Sequence, residues 1–235
     1  MNPEIKKFQS KDEMFEAAAL AFIKAAKKRI ARSGFFTVAL SGGKTPDGLF
    51  SKLAEYDFAE WSRVAFFWVD ERCVPPDSPD SNFGRARELL LTKLSINPEN
   101  IYRIEAEKPT AVEDYIHILT SGILPVNSKG APVFDLILLG MGADGHTASL
   151  FPGSPALQEK EQIVVRIPGS EDLQFGLDRI TLTLPVINSA GQIFVIITGR
   201  EKMDLLQCIL NQKVSSYPVG MVAPRIMPPL WFISY

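Results

Sequence analysis

The chain has 235 residues, of which 46% are hydrophobic and 22% charged, and its formal net charge is −2 at pH 7. This composition is typical of a globular protein, and a chain of this length can bury a core without disulfides or metals. The nearly neutral charge disfavours nucleic acid or an anionic membrane as partner, so any anion must be bound at a local site. The two cysteines, Cys73 and Cys208, follow no CxxC spacing, which excludes a disulfide framework and a cysteine-based zinc site.

Neither a leader sequence nor a membrane span is predicted. Residues 1–11 contain no apolar signal core, and no run of about 18 apolar residues occurs. With the low cysteine content, this predicts a soluble, cytoplasmic protein.

The first predicted elements are a helix, a strand and a second helix. Ser10 and Glu13 form a capping box ahead of helical apolar spacing over residues 11–31. The β-branched and aromatic run 35–40 predicts a buried strand, and Pro46 marks the start of the next helix.

Strands and helices alternate along the rest of the chain. We predict strands at 64–69, 134–139, 163–167, 180–184, 193–198 and 230–234, and helices at 82–94, 110–122 and 200–210. This alternation predicts an α/β fold: a single Rossmann-like domain over residues 1–235, with a mostly parallel central sheet and helices on both faces. Ligands of such sheets bind beyond the carboxyl ends of the strands, so polar clusters that follow strands should meet at one edge.

The first polar cluster is the turn Ser41-Gly42-Gly43-Lys44-Thr45, directly after a predicted strand. The glycines let backbone N–H groups approach a ligand closely, and the N-terminus of the following helix favours negative charge. The other three side chains add donors, so the turn can hold a phosphate. It is neither a Walker A loop nor a GxGxxG fingerprint, which disfavours a nucleotide. Taken alone, it is equally compatible with an ordinary Gly-Gly turn that carries an exposed lysine.

The second cluster is Asp70-Glu71-Arg72, after the strand at 64–69. Three consecutive charges cannot all be core residues, so at least one should face the edge of the sheet. Taken alone, the triplet is more typical of a solvated loop with a surface ion pair.

The third cluster is the glycine-rich stretch 140–150, which contains Asp144 and His146. Its small residues let the chain bend sharply and present both side chains to a cleft. A histidine can take a proton from water near neutral pH, and a nearby carboxylate can orient it. The other histidine, His117, lies in a predicted helix, where we expect a structural role. No second histidine or cysteine stands at ligand spacing, so no metal site is expected.

Two later cations complete the candidate site. Arg179 precedes the predicted strand at 180–184, and Lys202 lies in the first turn of the predicted helix at 200–210. Guanidinium and ammonium groups are the usual side-chain partners of phosphate. Each of the two alone would be a surface cation, and only their combination with the other clusters indicates a site.

Together these segments resemble the 6-phosphogluconolactonase family, which is itself similar to the glucosamine-6-phosphate deaminases. The matching stretches run in order over nearly the whole chain, at 41–46, 70–72, 81–82, 140–152, 179–183, 199–202 and 231–232. The resemblance implies a Rossmann-like domain, no cofactor, and hydrolysis of a small sugar phosphate lactone, 6-phosphogluconolactone, to 6-phosphogluconate in the oxidative pentose phosphate pathway. It further implies that the turn at 42–45, Arg179 and Lys202 bind the phosphate.

The same resemblance implies the catalytic roles. His146 activates the water that attacks the lactone carbonyl, Asp144 orients His146, and Arg72 stabilises the oxyanion. Asp70 lines the sugar site, without an assigned role. A lactone is an activated ester, so a base, an oxyanion donor and a phosphate anchor suffice without a covalent nucleophile.

Two other functions stay open as alternatives. The first is deamination or isomerisation of a hexosamine phosphate; the deaminases place a glutamate a few residues after the histidine, whereas here Phe151 stands at that position. The second is a sensing module that binds a sugar phosphate without turnover. The presence of the histidine, its carboxylate and Arg72 together argues against such a module.

Two segments depart from the lactonase pattern. Residues 218–222 lack the expected small residue followed by arginine, and residues 171–178 lack a proline-rich lead-in. Both departures concern the rim of the substrate site rather than the catalytic residues. The sequence predicts no particular oligomeric state.

Overall fold

A seven-stranded parallel sheet forms the centre of the computed structural model, which describes residues 3–169, 176–211 and 217–235. The strands are β1 (Glu4–Phe8), β2 (Phe36–Leu40), β3 (Val64–Trp68), β4 (Asp70–Arg72), β5 (Ile101–Tyr102), β6 (Leu136–Gly140), β7 (Val164–Ile167), β8 (Arg179–Leu182), β9 (Ile193–Thr198) and β10 (Leu230–Ser234). The helices are α1 (Lys11–Ser33), α2 (Lys44–Leu53), α3 (Asn82–Leu89), α4 (Ala111–Thr120), α5 (Leu184–Ile187) and α6 (Met203–Leu210).

The central sheet has the strand order β1-β10-β9-β6-β2-β3-β5. All residues of β2, β3 and β10 are buried. Since successive side chains of a strand point to opposite faces, burial of every residue means that both faces of the sheet are covered. The predicted α/β fold with a mostly parallel sheet is confirmed.

The strands predicted at 163–167 and 180–184 are present. These strands, β7 and β8, do not join the parallel sheet but form a separate antiparallel sheet in the order β4-β8-β7, called the small sheet below. β8 also ends earlier than predicted, at Leu182, and α5 begins two residues later. Apolar patterning predicts that a segment is a strand, but it does not reveal the strand's partner.

The ends of the helices agree with the capping signals at some positions and differ at others. Ser10 accepts a hydrogen bond from the Glu13 backbone N–H at 3.2 Å, as the capping box predicts. α2 begins at Lys44, two residues before Pro46, because Gly43 serves as its N-cap. The predicted helix at 82–94 ends at Leu89 and continues as a short 3-10 turn.

β1 has no counterpart among the predicted strands. It lies at the edge of the sheet, where it pairs in parallel with β10 and leaves its first four residues exposed. In the described residues, no helix is long and apolar enough to cross a membrane.

Candidate active site

The predicted site residues line one cleft of about 880 Å³, at the edge of the sheet where β2, β6 and β9 end. They are Ser41, Gly42, Gly43, Lys44, Thr45, Asp70, Arg72, Asp144, His146, Arg179 and Lys202. The structure therefore brings together all of the polar clusters that the sequence places after strands. What each residue binds or catalyses stays a prediction at this point.

The glycine turn presents the N-terminus of α2 to the cleft. Gly43, the N-cap, has φ +106°, a conformation that only glycine adopts easily. No side-chain hydrogen bond caps this end of α2 in the described part of the chain. The first-turn N–H groups of Lys44 and Thr45 therefore lie at an uncapped helix end, where an anion is favoured.

The two hydroxyl groups of the turn, those of Ser41 and Thr45, make hydrogen bonds to strands of the central sheet. The buried Ser41 hydroxyl donates to the Leu138 carbonyl of β6 at 2.8 Å, so its proton is already used. Its side chain thus anchors the turn and leaves phosphate donation to other groups. Thr45 and Thr198 share a hydrogen bond of 2.8 Å between their hydroxyls, which joins α2 to the end of β9. This bond needs only one of the two protons.

A histidine–aspartate pair lines the cleft from the loop 140–150, which we call the histidine loop. The Nδ1 of His146 is 2.6 Å from Asp144 Oδ1, and the His146 backbone N–H donates to the same oxygen at 3.1 Å. Burial alone would raise the pKa of Asp144, but these bonds and the nearby imidazole outweigh it, so the pKa lies below its usual value. The Asp144 carboxylate is therefore ionised at neutral pH.

Close packing around this pair explains one of the glycines. A Cβ on Gly142 would lie 2.1 Å from His146 Nδ1 and 2.7 Å from Asp144 Oδ1. On the other side, the ring of Phe151 packs against the imidazole with 4.7 Å between ring centroids. The position where the deaminases carry a glutamate is thus filled by a buried aromatic ring beside the histidine.

Two arginines lie next to each other on adjacent strands of the small sheet. Arg72 in β4 is the direct antiparallel partner of Arg179 in β8, and partners of this kind project from the same face. Burial lowers the pKa of Arg179, and the Arg72 charge lowers it further. Like charges in direct opposition are destabilising, and the charges of Asp70, Asp80 and Glu71 offset part of the repulsion. An anion beside the two guanidinium groups would offset more of it. We call these two residues the arginine pair.

The hydrogen bonds of Arg72 leave part of its guanidinium unused. Its Nη1 donates to the Asp80 carbonyl at 2.8 Å, whereas its Nε is buried and has no hydrogen-bond partner within the described ranges. A buried donor without a partner is costly, which is a common sign of a ligand site.

Lysines add to the positive charge of the cleft. Lys202 follows Gly199 on a short turn after β9; burial lowers its pKa, and the charge of Glu201 opposes this effect in part. Lys44 is exposed at the start of α2. With the arginine pair, four cations line the cleft, together with the two carboxylates Asp70 and Asp144. The excess of positive charge suits an anionic ligand.

The interpretation of Asp70-Glu71-Arg72 as a solvated loop is wrong, because this triplet forms β4 and its two carboxylates are buried. Glu71 accepts backbone N–H groups of Asn82 and Phe83, each at 2.8 Å, and so caps the N-terminus of α3. Burial raises the pKa of Glu71, and the backbone hydrogen bonds oppose this rise. Glu71 is therefore structural, and Asp70 and Arg72 are the members that face the cleft.

Two residues that sequence reasoning left without a role connect the clusters. The Asn82 Nδ2 donates to the Asp70 carbonyl at 2.9 Å, and its side chain fills the space beside Gly42, where a Cβ would lie 1.8 Å from Asn82 Oδ1. Ser149 donates to the Asp70 carboxylate at 2.6 Å. The match of residues 81–82 to the family pattern was a signal for Asn82; Ser149 lies within the matched stretch 140–152 but had no distinguishing signal.

The sequence also singled out His117, the question of metal ligands and two departing segments. His117 is exposed on α4 and does not line the cleft. No group of three or more histidine, cysteine, aspartate or glutamate side chains suited to a metal occurs in the described part of the chain. The departing segment 171–178 lies largely outside the described residues. The other one, 218–222, supports the histidine loop, since the Val219 N–H donates to the Gly145 carbonyl at 3.1 Å.

These features define an α/β protein with a cation-lined cleft and a histidine–carboxylate pair at the carboxyl edge of a parallel sheet. Residues 9–231 match the family model described as glucosamine-6-phosphate isomerases/6-phosphogluconolactonase. Because the match covers nearly the whole chain, the protein belongs to this family.

Individual relatives agree with this assignment. The chain is 37% identical over 217 residues to the 6-phosphogluconolactonase of Treponema pallidum (strain Nichols), covering 89% of this chain and 88% of that protein. It is 39% identical over 206 residues to the 6-phosphogluconolactonase of Rattus norvegicus, covering 85% of this chain and 78% of that protein. The solved structure of 6-phosphogluconolactonase from Trypanosoma brucei superimposes with a TM-score of 0.89 at 29% identity, over 99% of this chain and 96% of that one.

Proposed function

We propose that the chain is a 6-phosphogluconolactonase, a lactone hydrolase that converts 6-phosphogluconolactone to 6-phosphogluconate in the pentose phosphate pathway. Relatives that span most of the chain carry this name. The observation that carries the proposal is the placement of the His146–Asp144 pair in the same cleft as four cations. A base beside an anion site is what hydrolysis of a phosphorylated lactone requires.

The phosphate binds at the glycine turn. The uncapped N–H groups of Lys44 and Thr45 supply the backbone donors, and the Lys202 ammonium and the Arg179 guanidinium supply charge. Ser41 holds the turn in place through its bond to β6. Binding the phosphate away from the reacting carbonyl fixes the sugar ring for attack.

The base is His146. Because Nδ1 is bonded to Asp144, the proton of the attacking water goes to Nε2, and the Asp144 carboxylate stabilises the imidazolium that forms. The water oxygen bonds to the lactone carbonyl carbon, and the carbonyl oxygen becomes an oxyanion that Arg72 stabilises. When the intermediate collapses, the bond from the carbonyl carbon to the ring oxygen breaks. The imidazolium returns its proton to that ring oxygen, which leaves as a hydroxyl.

The site is less suited to the deaminase reaction of the related enzymes. Phe151 occupies the position of the deaminase glutamate and packs against the imidazole, so no carboxylate is present there to assist ring opening. The cytoplasm remains our proposal for the location, supported by Cys73 and Cys208, which are both free thiols.

The test is the rate of 6-phosphogluconolactone hydrolysis above its spontaneous background, followed as acid release. We expect His146→Ala to lower kcat by about 10²–10⁴-fold, because it removes the general base and leaves the phosphate site intact. His117→Ala removes the chain's other histidine, at an exposed site outside the cleft, and should leave kcat unchanged. Equal activity of the two variants would contradict the mechanism, and an inactive wild-type protein would contradict the proposed function.

A further inference from the structure

Ser149 is a completely buried residue of the histidine loop and bonds to both strands that carry the arginine pair. Its hydroxyl donates to Asp70 Oδ2 in β4 at 2.6 Å. Its backbone N–H donates to the Thr181 hydroxyl in β8 at 3.3 Å. Ser149 therefore joins the loop that holds the base to the small sheet.

The register of the small sheet places these contacts next to the arginine pair. Asp70 is the direct partner of Thr181, and Arg72 is the direct partner of Arg179. Residues two positions apart in a strand project from the same face. The Asp70–Thr181 pair and the arginine pair therefore lie side by side on one face, and Ser149 binds the first while the cleft opens at the second.

The loop around Ser149 contains a residue in an unfavourable backbone conformation. Thr147 and Leu150 exchange backbone hydrogen bonds, of 3.4 and 3.0 Å, around the two-residue turn Ala148–Ser149. Ala148 has φ +52°, in the left-handed region that residues other than glycine rarely adopt. Such strain persists only where surrounding contacts fix it, and the two bonds of Ser149 are contacts of this kind.

We propose that Ser149 is a positioning residue: its bonds to Asp70 and Thr181 seat the histidine loop on the small sheet and so set where His146 stands relative to Arg72. The effect of this positioning on catalysis rests on the function proposed above. The base acts on the water and Arg72 on the oxyanion, so their separation must match the substrate, and a misplacement of about 1 Å can cost about 10²-fold in rate. Asp70 then acts through Ser149 as a second positioning residue, which supplies the role that the sequence left unassigned.

The matched control lies at the opposite end of the central sheet. There the Thr37 hydroxyl donates to the Asp135 carboxylate at 3.1 Å, again a buried hydroxyl on an aspartate, but at the amino ends of β2 and β6. Ser149→Ala removes one such bond. Thr37→Val removes one as well, together with the bond that the Asp135 backbone N–H donates to the Thr37 hydroxyl at 3.0 Å, so both variants should lower Tm by a few degrees and Thr37→Val by at least as much. Only the first should change the site.

The kinetic experiment compares kcat with KM in the two variants. For Ser149→Ala we expect kcat to fall about 10–100-fold with KM nearly unchanged. The glycine turn and Lys202 lie on elements that Ser149 does not bond to, and Arg179 stays fixed by the pairing of β8 with β4 and β7. Thr181→Val removes only the longer of the two bonds and should lower kcat less. Thr37→Val should keep the wild-type kcat. A kcat of Ser149→Ala equal to that of Thr37→Val would overturn the proposal.

A second measurement reads the position of His146 without any turnover. The chain has only two histidines, so their ring signals can be assigned by NMR with the help of His117→Ala. We expect Ser149→Ala to shift the ring signals of His146 and leave those of His117, whereas Thr37→Val shifts neither. Unchanged His146 signals in Ser149→Ala would overturn the positioning role even if the protein proved to have a different substrate. An inactive wild type with shifted signals would instead refute the proposed function alone.

Discussion

Replacement of Asp144 by asparagine tests how much the carboxylate contributes to the base. Asp144 Oδ1 accepts two hydrogen bonds, one from the imidazole Nδ1 at 2.6 Å and one from the His146 backbone N–H at 3.1 Å. The amide oxygen of Asp144→Asn can accept both bonds, so the orientation of the ring survives and only the charge is lost. A hydrogen bond to a charged group contributes about 1.5–3 kcal/mol and one to a neutral group about 0.5–1.5 kcal/mol, so loss of the charge alone costs about 1–1.5 kcal/mol, or roughly 5–15-fold in rate. The Asp144 side chain is 46% exposed, so solvent screening keeps the effect to about tenfold at most.

The assay is the steady-state hydrolysis of 6-phosphogluconolactone by the wild type, Asp144→Asn and Asp144→Ala. We expect kcat to fall about tenfold in Asp144→Asn and further in Asp144→Ala, since alanine also loses the orienting bond. KM should stay near the wild-type value in both variants, because the carboxylate faces His146 and not the phosphate site. An unchanged kcat in Asp144→Asn would refute the claim that the carboxylate's charge stabilises the imidazolium, and a pure KM effect would place Asp144 in binding instead.

Two further predictions concern binding and packing. Because burial lowers the pKa of Lys202, its ammonium loses its proton at lower pH than an ordinary lysine, so in the alkaline range KM should rise with pH before an ordinary lysine would titrate. In Lys202→Arg the charge persists and this rise should disappear; a wild-type KM that is independent of pH would mean that Lys202 does not contact the phosphate. Gly42→Ala places a Cβ 1.8 Å from Asn82 Oδ1, so Asn82 must move, and we expect a lower Tm, measured by thermal unfolding, and a higher KM. Gly176→Ala, whose Cβ meets no described atom within 4 Å, should change neither, and equal Tm losses in the two variants would contradict the packing argument.

The fold and the location of the cleft were predictable because they depend on local patterns. Continuous apolar runs such as 64–69 are typical of strands that are covered on both faces, and polar residues directly after such runs must lie at the carboxyl edge. Capping residues such as Ser10 act on neighbours three positions away, so the start of α1 could be read from the sequence.

The features that could not be predicted depend on partners far away in the chain. Nothing local distinguishes β7 and β8 from strands of the parallel sheet, because the pairing with β4 is decided by tertiary structure. Ser149 is a small polar residue whose role arises from a bond to Asp70, 79 positions earlier. β1 was missed for a different reason: an exposed edge strand with charged side chains shows no apolar pattern, although such charges protect a sheet edge against association.

The position of β1 also has a consequence for the rate of folding. β1 pairs with β10, so that Glu4 lies beside Leu230, and β10 itself is held between β9 and β1. Contacts between such distant residues carry a large loop-closure entropy, and chains rich in them fold slowly. This edge of the sheet therefore assembles only after the two ends of the sequence have met. Until then the apolar strand β10 has an open side, and partly folded chains are exposed to association with one another.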